Sequence, residues 1–343
     1  MRGRSLLVAG LVTLGLVPGR LTAARAGDQT GLQGHLSSPS RLVRYARRAQ
    51  DAQPPARFRS SVEVVSVSAV VRDRKGRFVA NMQQKDFIVA EGGQTRPILD
   101  FQAESDGPVK LALLFDISGS MRVGTKAVDA RQAARQVFST LRPTDEAAVF
   151  AFDTRLQRVT QFTSDASALE SALDHVEPPF GQTSMYDAIA ETSKAVASAG
   201  PGKGRIPQRS AVVVLTDGID THSRLSPEQV SGIASGIDVP VYIVAVMSPI
   251  DDPRESGHTE LVGPLLNLAR WTGGEFFAVT APAHGTLAAR QIVDELRHQY
   301  MLAFEASSLP GWRPLEVRTR DRDLTVRARS AYTVPGTAGL AEH

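Results

Sequence analysis

Cysteine is absent from this chain of 343 residues. The absence excludes a disulfide framework, a thiolate metal site and a lipid-modified N-terminal cysteine. The seven histidines lack H-E-x-x-H or other paired spacing, so we interpret them as surface or structural residues. The sequence also lacks a G-x-S-x-G nucleophile elbow and a G-x-x-x-x-G-K-[ST] phosphate loop. Because no nucleophile paired with a general base is recognisable either, we do not expect an enzyme.

Only one long hydrophobic run is present, and it lies near the N-terminus. Leu6–Val17 follows two arginines and precedes Ala24-Arg25-Ala26, the pattern of a secretory signal peptide with cleavage after Ala26. The run is shorter than the roughly 20 residues that span a bilayer. We therefore expect removal of residues 1–26 and a mature chain that is secreted or periplasmic, without a transmembrane segment. An uncleaved membrane anchor is the alternative.

A strong excess of charge is also absent from the expected mature chain. The full sequence has a net charge of +3, but residues 1–26 contain four arginines and no acids. The remainder carries 35 basic and 36 acidic residues, so basicity offers no argument for nucleic-acid binding. One basic patch, Arg41–Arg48, falls in a segment rich in Gly, Ser, Gln and Pro. We interpret this segment, residues 27–60, as a flexible linker.

From Val109 onward, the sequence predicts alternating strands and helices. Apolar strand patterns occur at 110–115, 147–152, 211–215 and 239–247. Helix patterns occur at 126–141, 166–176, 184–199, 261–271 and 287–297, and one more begins at Ser226 with a capping box. Strands this apolar are typical of a parallel sheet covered by helices on both faces. The predicted fold class is therefore α/β, a doubly wound, mostly parallel, Rossmann-like sheet, with Leu156–Phe162 as an antiparallel edge strand.

The segments on either side of this region show strand patterns without helices. Residues 61–104 contain β-branched and alternating runs, including one over Thr95–Phe101. Residues 299–335 contain further alternating runs, most clearly at 315–320 and 324–329. We expect the two segments to pair into one small antiparallel sheet. The α/β region would then be an insertion between two halves of a flanking β module.

The most informative motif follows the first apolar strand. Asp116, Ser118 and Ser120 stand at alternate positions directly after Leu111–Phe115. Alternate side chains of an extended segment point the same way, and doubly wound sheets bind ligands beyond the carboxyl ends of their strands. Three oxygen-bearing side chains without Cys or His suit a hard cation such as Mg²⁺. The alternative is that Asp116 caps a helix and the two serines are turn residues.

Two distant segments strengthen the metal hypothesis. Thr183 stands at a predicted loop-to-helix junction, and Thr216-Asp217-Gly218 ends a second apolar strand. With the first motif, these residues resemble the metal-ion-dependent adhesion site of von Willebrand factor type A domains. The resemblance covers residues 108–298. It implies five residues at the metal, namely Asp116, Ser118, Ser120, Thr183 and Asp217.

The resemblance also implies a function. The ion would be Mg²⁺, or Mn²⁺ or Ca²⁺, and its neutral hydroxyl ligands would leave it a strong Lewis acid with one open position. An Asp or Glu side chain of an unknown partner protein would fill that position. The expected protein is thus a secreted, metal-dependent protein-binding module. In related adhesion domains, ligand binding is coupled to a shift of the C-terminal helix, which here would be 287–297.

Two other functions remain open. A Mg²⁺-dependent hydrolase or phosphatase of the haloacid dehalogenase type also begins with an Asp at a strand end, but its second acid would fall at Ser118. A structural scaffold, in which the ion only stiffens the loops, is the third possibility.

Overall fold

The computed structural model describes residues 64–103, 107–177, 179–198, 209–247, 258–307 and 309–334. The expected signal peptide and linker lie outside these residues, so both stay predictions. The described strands are β1 (Val64–Arg72), β2 (Phe87–Glu91), β3 (Gln94–Arg96), β4 (Ile98–Gln102), β5 (Val109–Asp116), β6 (Glu146–Phe152), β7 (Leu156–Arg158), β8 (Arg209–Thr216), β9 (Val241–Val246), β10 (Phe276–Val279), β11 (Gln299–Glu305), β12 (Gly311–Thr319), β13 (Thr325–Ala328) and β14 (Ala331–Val334). The described α-helices are α1 (Lys126–Thr140), α2 (Ala166–Asp174), α3 (Met185–Ser198), α4 (Pro227–Gly236), α5 (His258–Thr272) and α6 (Pro282–Arg297).

The central sheet has six strands in the order β10-β9-β8-β5-β6-β7. Five of them are parallel, and β7 pairs antiparallel with β6 at the edge. The predicted fold class is confirmed. The chain leaves β5 toward β6 and later returns to β8 on its other side, so the strand order reverses between β5 and β8. Ligands of doubly wound sheets bind at such a reversal, beyond the carboxyl ends of the strands.

Helices cover both faces of this sheet, which explains why its strands are apolar throughout. Successive residues of β5 point to opposite faces, so Leu113 packs in one core with Val137 of α1, and Leu114 packs in the other with Ile189 of α3. The first core also holds side chains of α2 and α6, and the second holds those of α4 and α5. Every residue of β5 is buried. The result is a three-layer structure that fixes the carboxyl end of β5 rigidly.

The flanking segments do pair with each other, but they form two sheets instead of the one expected. The described sheets are β13-β1-β11-β4 and β14-β12-β2-β3, both antiparallel. The predicted strand over Thr95–Phe101 is wrong as a single strand, because it is divided at Pro97 between β3 and β4. Proline has no N–H for a sheet ladder and holds a fixed φ, so the chain passes there from one sheet to the other. Phe87 and Phe304 pack in the core between the sheets.

Buried ion pairs connect the β module to the last helix of the α/β region. The carboxylate of Glu295 in α6 is fully buried and accepts hydrogen bonds from Arg72 of β1, at 2.6 Å, and from Arg327 of β13. Arg327 also binds Glu275, which lies just before β10. One helix residue is thereby held by two strands that come from opposite ends of the sequence.

The local sequence explains where two of the helices, α4 and α6, begin. At α4 the predicted capping box is present: Ser226 Oγ accepts the N–H of Gln229, and Pro227 occupies the first turn. Helix α6 begins at Pro282, five residues before the predicted start, because proline suits the first turn of a helix. Among the described helices, none has the length and hydropathy that crossing a bilayer requires.

Candidate metal centre

The candidate residues lie on three loops at the carboxyl edge of the central sheet. Asp116 is the last residue of β5, and Asp217 directly follows β8. These strands are parallel neighbours, so their carboxyl ends meet at the same edge. Thr183 lies two residues before α3, which packs across this part of the sheet. The positions expected from the sequence are therefore close in space.

Direct hydrogen bonds join four of the five candidate residues. The Oγ atoms of Ser118 and Ser120 lie 3.1 Å apart, and Ser120 Oγ lies 3.1 Å from Oδ1 of Asp217. Oδ1 of Asp116 accepts the backbone N–H of Ser118 at 2.8 Å. Asp116, Ser118 and the side chain of Asp217 are all buried. Oxygen atoms from the β5 and β8 loops thus form one cluster beneath the surface.

The carboxylate of Asp116 is held by the protein at both of its oxygens. In addition to the bond from Ser118, Oδ2 accepts a hydrogen bond from Thr216 Oγ1 at 2.6 Å. Burial raises the pKa of Asp116 to about 6, although the hydrogen bonds from Ser118 and Thr216 act to lower it. The negative charge of Asp217 contributes to the raised pKa. Because both oxygens already accept hydrogen bonds, Asp116 is suited to reach an ion through a water molecule.

The hydroxyl of Thr183 is the one unsatisfied group of the cluster within the described residues. Thr183 is almost fully buried, and its Oγ1 has no hydrogen-bond partner in the described parts of the chain. Its main chain is held firmly, because the carbonyl oxygen accepts the N–H groups of Thr221 at 3.1 Å and His222 at 2.8 Å. The backbone therefore fixes the position of a hydroxyl that lacks a partner.

Gly119 brings the β5 loop against the loop of Thr183. Its N–H donates to the carbonyl oxygen of Gly181 at 2.8 Å. A Cβ atom on Gly119 would lie 3.2 Å from that same oxygen, closer than side chains normally approach. A larger residue between the two serines would therefore push the two loops apart by a few tenths of an ångström.

Lys126 belongs to the site, although the sequence analysis did not identify it. This residue begins α1, and its Nζ lies 3.1 Å from Oδ2 of Asp217, with both side chains buried. Its position in the sequence could have indicated this role on electrostatic grounds. A cation in the first turn of a helix opposes the helix dipole, so a lysine there points to a specific anionic partner.

Two further acidic residues shape the loops. Asp153 uses Oδ1 to accept the N–H of Arg155 at 2.8 Å, a bond typical of an Asp in a turn. Its carbonyl oxygen accepts the N–H of Ser184 at 2.7 Å. Asp220 accepts the N–H of Met185 at 2.8 Å at the start of α3. Both residues position the segment that carries Thr183 and were not among the predicted site residues.

The donor set of this cluster fits a hard divalent cation. It consists of carboxylate and hydroxyl oxygens only, which are ligands that Mg²⁺, Mn²⁺ and Ca²⁺ accept. Within the described residues, no group of three or more His, Cys, Asp or Glu side chains is placed to hold a metal ion. A cation at this edge of the sheet would therefore depend on hydroxyls as much as on carboxylates.

The comparison with known families agrees with this architecture. Residues 111–219 match the family model of the von Willebrand factor type A domain. The match begins in β5 and ends just after Asp217, so it includes all five candidate residues. The six-stranded sheet with helices on both faces has the fold of that domain. Such domains often bind a divalent metal and commonly mediate protein interactions.

Several solved structures resemble parts of this chain. One is a von Willebrand factor type A protein from Catenulispora acidiphila, with 12% identity, coverage of 80% of this chain and 74% of that one, and a TM-score of 0.47. Another is an aerotolerance-related membrane protein from Bacteroides fragilis, with 19% identity, 55% and 98% coverage, and a TM-score of 0.43. A third is proximal thread matrix protein 1 of the mussel byssus with a zinc-occupied adhesion-site motif, with 17% identity, 60% and 49% coverage, and a TM-score of 0.45. A search of curated proteins finds no match.

Proposed function

We propose that this chain is a protein-binding module that works through one divalent ion, Mg²⁺, Mn²⁺ or Ca²⁺. The ion would be held by Asp116, Ser118, Ser120, Thr183 and Asp217. The observation that carries the proposal is the buried hydroxyl of Thr183, which lacks a partner beside the cluster of oxygens. Burying an unsatisfied hydroxyl costs about 1–3 kcal/mol, and a bound cation would offset this cost.

The charges around the cluster support an acidic partner. Lys126 already neutralises one oxygen of Asp217, and burial disfavours the ionised form of Asp116. The protein therefore compensates little of the double charge of an ion at this position. An ion bound there stays electrophilic and attracts an anionic oxygen from outside. A carboxylate of Asp or Glu on the surface of another protein supplies that oxygen.

We further propose that the protein acts outside the cytoplasm. This part of the proposal rests on the signal-peptide pattern in residues 1–26, followed by the linker 27–60. For the rest of the chain we propose a β segment (61–104), an α/β domain (108–298) and a second β segment (299–335). The antiparallel pairing of β1 with β11, in which Val67 lies opposite Leu302, supports the view that the α/β domain is inserted into the β module.

The proposal is tested by capturing a partner on the immobilised mature chain. Capture is performed in Mg²⁺ with the natural chain, in EDTA with the same chain, and in Mg²⁺ with Thr183→Val. We expect a protein that is retained only in the first experiment and released by chelator. A competing acidic peptide should displace it, whereas the same peptide with Asn and Gln in place of its acids should not.

The natural chain and one further variant, Asp116→Asn, separate the two alternative functions. Retention that is equal in Mg²⁺ and EDTA would favour the scaffold. Hydrolysis of a phosphate ester in Mg²⁺ that Asp116→Asn abolishes would favour the hydrolase.

A further inference from the structure

A pocket lies between α4 and the β module, and the residues that line it are not those of the candidate metal centre. Its volume is about 250 Å³. The walls combine aromatic rings, one carboxylate and hydroxyl groups, supplied chiefly by Glu228, Ser231, Ser235, Trp271, Trp312 and Tyr332. A pocket of this size suits a ligand smaller than a typical drug molecule.

Both tryptophans of the chain line this one pocket. The sequence contains only two, and Trp271 comes from the end of α5 while Trp312 comes from β12. Trp312 is 63% exposed, a large apolar surface to leave in water. The presence of both tryptophans of the chain at one cavity favours a role in binding over a role in core packing.

The pocket is held in shape from both sides. The carbonyl oxygen of Trp271 accepts hydrogen bonds from Ser235 Oγ of α4 and from the N–H of Ser330, which precedes β14, both at 3.1 Å. Tyr332 is anchored in turn, since its hydroxyl donates to Glu91 at 2.6 Å. A preformed pocket loses little entropy when a ligand binds.

Among the described residues that line the pocket, the one charged side chain is the carboxylate of Glu228. Glu228 is exposed and accepts a hydrogen bond from Ser226 Oγ at 2.7 Å, which lowers the pKa of Glu228 and keeps it ionised at neutral pH. The part of the pocket wall that the structure describes contains no Lys, Arg or His. Arg329 lies behind the wall, where it donates a hydrogen bond to the carbonyl oxygen of Ser235 and its guanidinium carbon lies 5.5 Å from the centre of the Tyr332 ring. The carboxylate of Asp238, 3.5 Å from its Nε, offsets its charge.

We propose that this pocket binds a small organic cation of the quaternary ammonium class. Indole rings attract such cations through their π faces, and the attraction strengthens when water is excluded. Glu228 supplies the opposing charge at the mouth. A sugar fits less well, because sugar hydroxyls require several free polar groups. The hydroxyls of Ser231 and Ser235 already donate to the backbone, to Pro227 at 2.8 Å and to Trp271 at 3.1 Å.

Intrinsic tryptophan fluorescence tests this proposal directly, because both tryptophans lie at the pocket. The chain is titrated with choline and with 3,3-dimethyl-1-butanol, a neutral molecule of nearly the same shape. We expect choline to change the emission and to bind about tenfold more tightly than the alcohol, which corresponds to a cation–π and charge contribution of about 1.4 kcal/mol.

Substitutions at the pocket test whether choline binds there. Glu228→Gln should weaken choline binding by about threefold, since the rings still attract the cation, while leaving the affinity for the neutral alcohol unchanged. Glu316→Gln, an equally conservative change at an exposed carboxylate of β12 outside the pocket, should leave both affinities as they are. Trp312→Ala should abolish choline binding with an unchanged circular dichroism spectrum. Calorimetry serves as the readout for this variant because it has lost one of the two fluorophores.

The natural source of the cation is distinguished by vesicles. Co-sedimentation with phosphatidylcholine vesicles, but not with phosphatidylglycerol vesicles, would identify a lipid headgroup, and binding of free choline alone would identify a soluble ligand. Three results would overturn the proposal. They are equal affinities for choline and the neutral alcohol, binding of methyl glucoside in preference to choline, and absence of choline binding in both fluorescence and calorimetry.

Discussion

The ammonium group of Lys126 lies 3.1 Å from Oδ2 of Asp217, and both side chains are buried at the edge of the central sheet. The lysine thus occupies a position where it balances one of the two carboxylates of the candidate metal centre. A divalent ion at this centre and the ammonium group would both be attracted to the carboxylate of Asp217. Because the two cations repel each other, each would weaken the binding of the other at this carboxylate.

Replacing this lysine should strengthen metal binding. Lys126→Met removes a positive charge near the ion and leaves Asp217 buried without its partner in the metal-free protein. We expect a lower melting temperature in EDTA and a larger rise in melting temperature on adding Mg²⁺ than in the natural chain. Thermal unfolding with and without Mg²⁺ measures both quantities.

Lys110→Met is the matched control for this change. Lys110 is also buried and pairs with a carboxylate, Glu146, but it lies near the opposite end of β5 from Asp116. The Lys110→Met substitution should alter the melting temperature by the same amount with and without Mg²⁺. If the Mg²⁺-induced rise were equal in the two variants, Lys126 would have no link to the metal.

Removing the Thr183 hydroxyl should separate metal binding from folding. Thr183→Val keeps the shape of the side chain but deletes the Oγ1 that has no hydrogen-bond partner in the described residues. We expect the free energy of unfolding in EDTA to be unchanged or slightly higher, because no hydrogen bond is lost. The stabilisation by Mg²⁺ should fall sharply. Chemical denaturation in EDTA and in Mg²⁺ gives both values.

The chain offers a close control for this experiment. Thr192 in α3 is fully buried, and its Oγ1 also lacks a partner among the described groups. Thr192→Val should therefore leave the stabilisation by Mg²⁺ intact. A loss of stability in EDTA that is confined to Thr183→Val would show that the hydroxyl serves the fold, contrary to our account.

Glu295 should be essential for the attachment of the β module to α6. Glu295→Ala leaves Arg72 and Arg327 without their shared carboxylate, and breaking a buried ion pair on one side costs about 3–5 kcal/mol. We expect a loss of this order in the free energy of unfolding, measured by denaturant titration. Glu316→Ala removes an exposed carboxylate that pairs with Arg318 and should change stability by less than about 0.5 kcal/mol. Equal effects of the two changes would contradict the assigned role.

The β module should lose stability in acid through Glu91. Burial acts to raise the pKa of Glu91, but hydrogen bonds from Tyr332, from the backbone of Ser307 and from Arg96 outweigh it and hold the pKa below its usual value of 4.5. Because the pKa is lower in the folded state, the carboxylate contributes stability above pH 4.5. This contribution disappears as the pH falls through the folded-state pKa.

Glu91→Gln isolates this contribution. The variant should be less stable by about 1–3 kcal/mol at neutral pH, and the difference from the natural chain should shrink as the pH falls below 4.5 and through the lower folded-state pKa. Denaturant titrations across this pH range provide the measurement. A constant difference at every pH would mean that the charge of Glu91 does not stabilise the module.

Local patterns in the sequence predict the α/β region well because its strands are apolar on both faces and because one of its helices, α4, begins with a recognisable capping box. The capping box at Ser226 is present, and the edge strand predicted over Leu156–Phe162 is present as the shorter β7, Leu156–Arg158. The partition of Thr95–Phe101 is harder to predict, because the choice between sheets at Pro97 depends on distant strands. No sequence pattern indicates β14, since only its pairing with β12 identifies it as a strand.

The candidate site, too, can be predicted from the sequence only where its residues form a local pattern. Asp116, Ser118 and Ser120 are recognisable because they are spaced along one segment, and Asp217 because it ends an apolar strand. Lys126 and Asp220 act through contacts with other segments, with Asp217 and with the backbone of Met185. Their roles follow from the packing of three loops against one another, which spacing along the chain does not encode.

Calorimetric titration of the chelator-treated chain with Mn²⁺ tests the central claim most directly. We predict one Mn²⁺ per chain in the natural protein and a loss of binding of at least about tenfold in Ser118→Ala, with an unchanged circular dichroism spectrum. Binding of Mn²⁺ that is the same in both proteins would contradict the proposed metal centre.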